Sequence, residues 1–183
     1  MCKNERNIKR SIKGTELKVG SLNSRGIRNG RDQEEVAEDM EKYKLDILGL
    51  QEMHLKGTGI KEADGKRRFD LFYIGPENNK HHGVGIVIRK YLKAEFKRIT
   101  DRTCMATVKM EKEQRSLNFI VTYAPTLEAS EKNEEIREEY YRILDETIRN
   151  ISKRNLLIIA GDMNAKVGRT SEVYSECMGR YGK

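Results

Sequence analysis

The chain has 183 residues, enough for one domain or for one domain with a tail. Hydrophobic residues make up 37% and charged residues 36%, so the core has to be economical and the surface densely charged. Lys and Arg number 36 against 29 Asp and Glu, a formal charge of +7; this suits a polyanion, whose condensed counterions each bound cation releases, and equally suits a protein that is merely basic. Low hydrophobicity with high charge is also a signature of disorder. Here the apolar residues are gathered into short blocks, which favours a folded domain.

Cys2, Cys104 and Cys177 are odd in number, far apart and in no CxxC pair, which argues against a disulfide framework or a zinc site and for reduced thiols inside a cell. No run reaches the ~18 apolar residues of a membrane span. The N-terminus is basic without a following apolar stretch, so no secretory signal is recognised. A soluble intracellular chain is expected.

In chain order, residues 1–16 read as a disordered basic lead-in. Leu17–Asn23 reads as a short strand, broken by Gly26 and Gly30. Asp32 followed by Glu35 resembles a capping box, opening a helix with Val36, Ala37, Met40 and Tyr43 on one face. Leu45–Gln51 is a compact apolar strand, and residues 53–68, rich in Gly and Lys, read as a loop. Leu71–Ile74 and Gly83–Arg89 are strands, the second with two glycines that suggest close backbone approach. Ala94–Ile99, Cys104–Met110 and Ser116–Tyr123 are further strands, with spacings that favour antiparallel pairing. Ser130 opens the longest helix, in which Ile136, Tyr140, Ile143, Leu144, Thr147, Ile148 and Ile151 repeat at 3–4 residue steps along one face. Leu156–Ala160 is the most apolar strand, followed at once by Gly161-Asp162-Met163-Asn164. Strand, helix, strand, then a run of strands, points to an α/β domain with buried sheets and helices layered on them.

Asn23, Glu52, Tyr123 and Asp162 each fall at or just past the C-terminal end of an expected strand. Side chains placed there converge at a sheet edge and are held more rigidly than on a loop tip. Glu52 leaves a buried strand, where a carboxylate is a hard ligand for magnesium. Asp162 and Asn164, two residues apart, share a face if the segment is extended. Asp is able to orient and deprotonate a water, and Asn to hold a phosphate oxygen. The Tyr123 phenol is placed to donate to a non-bridging phosphate oxygen. Taken singly, each has a plainer reading: a solvated strand end for Glu52, a turn for Gly-Asp-x-Asn and for Asn23, a core or rim tyrosine for Tyr123. His82, before Gly83, reads as a turn histidine at a sheet edge. Neither a serine nucleophile elbow, a P-loop nor a Rossmann fingerprint is present.

In order, Val19-Gly20-Ser21-Leu22-Asn23, Leu48-Gly49-Leu50-Gln51-Glu52, Gly83-Val84-Gly85-Ile86-Val87, Val121-Thr122-Tyr123-Ala124-Pro125-Thr126 and Ile159-Ala160-Gly161-Asp162-Met163-Asn164 resemble the endonuclease/exonuclease/phosphatase superfamily. The Tyr-Ala-Pro-Thr and Gly-Asp-Met-Asn-Ala pieces are most similar to endonuclease domains of LINE-type retrotransposons and to the craniofacial development protein 2-like sequences derived from such elements. The resemblance runs from about Leu17 to Gly168, so residues 17–183 are expected to form the N-terminal two-thirds of such a domain. It implies a sandwich of two mixed β-sheets flanked by helices. It implies Mg2+, with Mn2+ as the alternative, held by Glu52 with Asn23 helping to orient the metal shell. Tyr123 would support the scissile phosphate, Asp162 the attacking water and Asn164 the phosphate. The implied reaction is metal-assisted phosphodiester hydrolysis that nicks DNA, in the nucleus if DNA is the target.

Two departures from the family pattern stand out. Relatives of the abasic-site type carry an acidic residue two positions after the first Asn, where this chain has Arg25; retrotransposon relatives vary there. The family also continues into strands with a further Asp and a terminal Ser-Asp-His, and nothing after Asn164 matches them. Losing so preorganised a donor typically costs ~10²–10³ in rate, and missing strands leave an open sheet edge. Weak or absent nicking by this chain is therefore expected. The alternatives are a catalytically dead remnant that binds nucleic acid through its basic surface, and a phosphatase or lipid phosphodiesterase of the same superfamily.

Overall fold

The computed structural model describes residues 16–27, 29–77, 82–110, 114–126 and 134–165. The expected basic lead-in, the Ser130 helix start, Cys2, Cys177, His81 and the segment after residue 165 lie outside them. The described residues form two mixed sheets, each covered on its outer face by one helix. The first sheet contains β1 (Val19–Asn23), β2 (Ile47–Gln51), β3 (Gly57–Glu62), β4 (Phe69–Gly75) and β5 (Val84–Arg89), in the order β1-β2-β5-β4-β3. The second contains β6 (Ala94–Arg98), β7 (Thr103–Met110), β8 (Arg115–Tyr123) and β9 (Leu156–Asp162), in that order. Among the described residues only β1–β2 and β8–β9 pair in parallel. Each of these parallel pairs needs a crossover, and a helix lies between its strands: α1 (Gly30–Lys42) in the first, α2 (Glu134–Arg149) in the second. The remaining pairs are antiparallel, as their short spacings suggest.

Alternation divides the apolar residues into three layers. Ile47, Ile74, Ile86 and Ile88 from the first sheet meet Cys104, Ala106, Phe119 and Val121 from the second. On the outer face, Leu48, Leu50, Phe69, Leu71 and Val87 receive Val36, Ala37 and Met40 of α1. Ile120 and Ala124 of the second sheet's outer side receive Tyr140 and Leu144 of α2. Each fully buried Leu, Ile or Phe here contributes about 1.5–3 kcal/mol relative to exposure. Cys104 is free and wholly buried, and burial pushes its thiol far above the usual range, so it is a small core hydrophobe.

Three local expectations need correction. Residues 53–68 contain the edge strand β3, which pairs with β4 from Gly57↔Gly75 to Glu62↔Asp70. Its glycines and lysines hide it because its order comes from backbone pairing, with alternate residues turned to solvent. Helix α1 starts earlier than expected: Asn29 is the N-cap, Asp32 closes the reciprocal capping box, and Gly30 is the first helical residue. Ile136, assigned to the apolar face of α2, is 43% exposed, because the helix meets the sheet only from Tyr140 onward. The close approach expected of the β5 glycines is present. A Cβ on Gly85 would lie 2.3 Å from Met53 Sδ and 2.7 Å from the Phe72 carbonyl oxygen.

Candidate active site

Asn23, Tyr123 and Asp162 are the last residues of β1, β8 and β9, and Glu52 follows the last residue of β2. Within each parallel pair the ends are level, with Asn23 opposite Gln51 and Tyr123 opposite Asp162. Strands β1 and β9 also approach one another between the two sheets, so all four ends share one edge of the sandwich. The backbone turns sharply there. Glu52 has φ +51°, His54 +56°, Arg25 +50° and Asn164 +46°, all in the left-handed region that non-glycine residues rarely enter. Such positions cost of order 1–3 kcal/mol each and persist where surrounding bonds over-determine them. Those bonds are present: Ser24 Oγ donates to the carbonyls of Gln51 at 2.8 Å and Glu52 at 3.3 Å. Met53 N–H donates to the Gly83 carbonyl, and Ile27 N–H to the Met53 carbonyl.

The side chains meet. Asn23 Nδ2 donates to Glu52 Oε1 at 2.7 Å and to Asp162 Oδ2 at 3.3 Å, so one amide bridges both carboxylates. Tyr123 donates its hydroxyl to the same Glu52 oxygen at 3.0 Å. Burial first, and then that hydrogen bond to Glu52, push the phenol above the usual tyrosine range; the Asn164 side chain pulls the other way. Tyr123 therefore stays a neutral O–H donor across physiological pH.

Asn164 sits past the strand in a turn, so the extended geometry expected for Asp162–Asn164 does not hold. Its N–H donates back to Asp162 Oδ1 at 2.9 Å and its Nδ2 to the Ala124 carbonyl at 2.6 Å. Asp162 is thus held from its own loop while Ala124 N–H takes its carbonyl at 2.9 Å. At Gly161 a Cβ would fall 1.9 Å from the Thr122 carbonyl oxygen, so the glycine admits the neighbouring strand.

Two further residues reach this edge. Arg102, in the turn before β7, lies with Cζ 5.6 Å from the Tyr123 ring centroid. His82, just before β5, contacts Arg102 Nη2 through Nε2 at 3.0 Å. Arg102 carries no mark of its own in the sequence, and His82, read as a turn histidine at a sheet edge, lies at that edge against it. β5 and β7 run antiparallel to β2 and β8, so their beginnings arrive where the other strands finish.

The donor set of Glu52, Asp162 and Asn23 suits magnesium, which accepts one or two carboxylates and keeps several waters. Two carboxylates converge on a single hydrogen-bearing nitrogen, where a small cation would find the same negative charge. Among the described residues no group of three or more His, Cys, Asp or Glu side chains comes together, a poor match for a closed zinc site.

The Endonuclease/Exonuclease/phosphatase family model matches residues 19–171, and the chain belongs to that family. Craniofacial development protein 2 of Bos taurus is 31% identical over 167 residues, covering 90% of this chain and 26% of that protein. The chain spans about a quarter of the length of the curated relatives it matches. Among solved structures, an AP endonuclease from Archaeoglobus fulgidus superposes with a TM-score of 0.63 at 21% identity, covering 82% of this chain and 58% of that one. The endonuclease domain of TRAS1, a telomere-specific non-LTR retrotransposon, gives 0.56 at 16% identity, covering 82% and 60%. These likenesses establish the two-sheet fold. No described helix is long and apolar enough to cross a membrane.

Proposed function

We propose that this chain supplies the metal- and phosphate-binding half of a DNA-nicking phosphodiesterase site. The observation that carries the reading is the Asn23 amide bridging Glu52 and Asp162, with the Tyr123 hydroxyl on the same Glu52 oxygen. Four strand ends from two sheets converge on one point, which no fold requirement explains. DNA is favoured as substrate by the charge of +7 and by the AP endonuclease and retrotransposon endonuclease among its structural neighbours.

Glu52 and Asp162 would hold Mg2+ or Mn2+, with Asn23 orienting them. When bound, that ion supplies Lewis-acid polarisation of a phosphoryl oxygen and a template for the reacting groups. Tyr123 remains protonated, and its single hydroxyl hydrogen, turned from Glu52, would donate to a non-bridging phosphate oxygen as charge grows there. Asp162, fixed by Asn164 N–H at one oxygen, keeps its other oxygen toward Asn23 and the incoming water. Asn164, anchored on the Ala124 carbonyl, holds the turn that presents both groups. If DNA is the substrate, the nucleus is where this chain would act in a eukaryotic cell.

Supercoiled plasmid incubated with the protein and Mg2+ is expected to accumulate open circles faster than with chelator. However small that rate is, Glu52→Gln and Asp162→Asn should each lower it by roughly 10²–10³. Nicking that survives both substitutions, or that ignores chelator, would overturn the reading. Retention on DNA should weaken steeply as salt is raised.

A further inference from the structure

We propose that Arg102 is a positioning residue for Tyr123, clamping the phenol on Glu52 with His82 as its backstop. The inference rests on the proposed role of Tyr123 as a phosphate donor. Arg102 holds that tyrosine by both its main chain and its side chain. Its carbonyl accepts the Tyr123 N–H at 2.9 Å, and its Nη1 donates to the Tyr123 carbonyl at 3.4 Å. The guanidinium carbon lies 5.6 Å from the ring centroid, within the range of a cation–π contact.

Arg102 is itself fixed. Its N–H donates to Thr100 Oγ1 at 3.1 Å, and its carbonyl also accepts from Thr122 Oγ1 at 3.3 Å. Thr122 Oγ1 in turn is within 2.9 Å of Thr103 Oγ1 and 2.8 Å of the Tyr140 hydroxyl, a buried chain that ties the turn to α2. Because a guanidinium only donates, His82 Nε2 accepts from Nη2, which places the proton of a neutral His82 on Nδ1. The His82 ring stands 6.2 Å from the Tyr123 ring at 42°, so the histidine that holds Arg102 also borders the phenol.

Two consequences follow for the phenol. Its ring cannot swing off Glu52 without breaking the stack on Arg102. A cation over the ring also draws electron density from the oxygen, making the O–H a stronger donor to an anionic phosphate. Arg102 acts through Tyr123 and need not touch the substrate.

The test uses the protein with ring-13C tyrosine, the Tyr123 signals being assigned by their loss in Tyr123→Phe. Arg102→Gln is expected to shift and broaden the Tyr123 ring signals while those of Tyr73, on β4, stay in place and report an intact fold. Arg102→Lys, which keeps the charge, should restore most of the shift. In Mg2+-dependent nicking, Arg102→Gln should lower kcat roughly tenfold to a hundredfold with KM unchanged. In a Tyr123→Phe background the same change should cost almost nothing more. Unmoved Tyr123 signals in Arg102→Gln would overturn the proposal. So would a rise in KM alone, which marks a direct phosphate contact, or an undiminished loss in the Tyr123→Phe background. Wild-type nicking by Glu52→Gln would instead sink the phosphodiesterase reading, leaving the ring signals to decide Arg102 by themselves.

Discussion

Strand β2 is buried at all five positions and hydrogen-bonded on both sides, to β1 and to β5. Strand β9 pairs only with β8 among the described residues, and Leu156 and Ile159 stand 38% and 40% exposed. Both deliver a carboxylate to the same amide nitrogen of Asn23. Glu52 inherits its position from a central strand whose neighbours leave it no freedom. Asp162 depends on Asn164 N–H, from the turn after it, at its carboxylate and on Ala124 N–H, from the end of β8, at its carbonyl. One half of the site is therefore held by the core and the other by these hydrogen bonds at the strand end.

The sharpest way to break that contrast is to cut into each strand. Leu50→Ala, at a fully buried β2 position, should cost about 2–5 kcal/mol in urea denaturation. Ile159→Ala on β9 should cost roughly 0.5 kcal/mol, as at an ordinary surface position. Equal losses would show that β9 is as well supported as β2. Asn164→Ala leaves the Ala124 carbonyl without its donor and should cost about 1–3 kcal/mol. Its hydrogen-exchange signature should be confined to the β9 turn; protection lost also around Glu52 would mean the two halves are coupled more tightly than proposed. Asn29→Ala removes the α1 cap on the far side of the first sheet and should cost about 1 kcal/mol. Divalent-ion affinity should be untouched by it.

The smallest expected effect is with pH. Tyr123 has its phenol pKa raised in the folded protein, first by burial and then by Glu52, so the fold favours the neutral form. That contribution is complete below the unfolded tyrosine pKa of about 10 and is lost as pH climbs through the higher folded value. Tyr140, raised by burial, adds in the same direction. Tyr123→Phe should make stability fall less steeply above that pH; an unchanged slope would mean the phenol is solvated like any surface tyrosine.

Much of this was legible in the sequence because apolar blocks mark strands and polar residues at their ends mark the edge they share. Asn23, Glu52, Tyr123 and Asp162 were found that way, and the sheet register brings them together. Strand β3 was not legible, since Gly57, Gly59 and Lys61 carry no apolar pattern and the strand is ordered by pairing with β4. The turn at Asn164 was hidden because a residue two positions on shares a face only in extended backbone, and Asn164 is left-handed. Arg102 and its contact with His82 escaped for a topological reason. Their strands start at the edge where the others end, and strand direction emerges only from the pairing.

Binding of Mn2+ tests the central claim most directly, because it needs no turnover. Titration followed by the loss of free-ion electron paramagnetic resonance signal should show one site in the protein, competed by Mg2+. That site should vanish in both Glu52→Gln and Asp162→Asn, while Asn29→Ala retains it. Undiminished binding in either carboxylate variant, or no binding by the unaltered protein, would contradict a shared metal site at these strand ends.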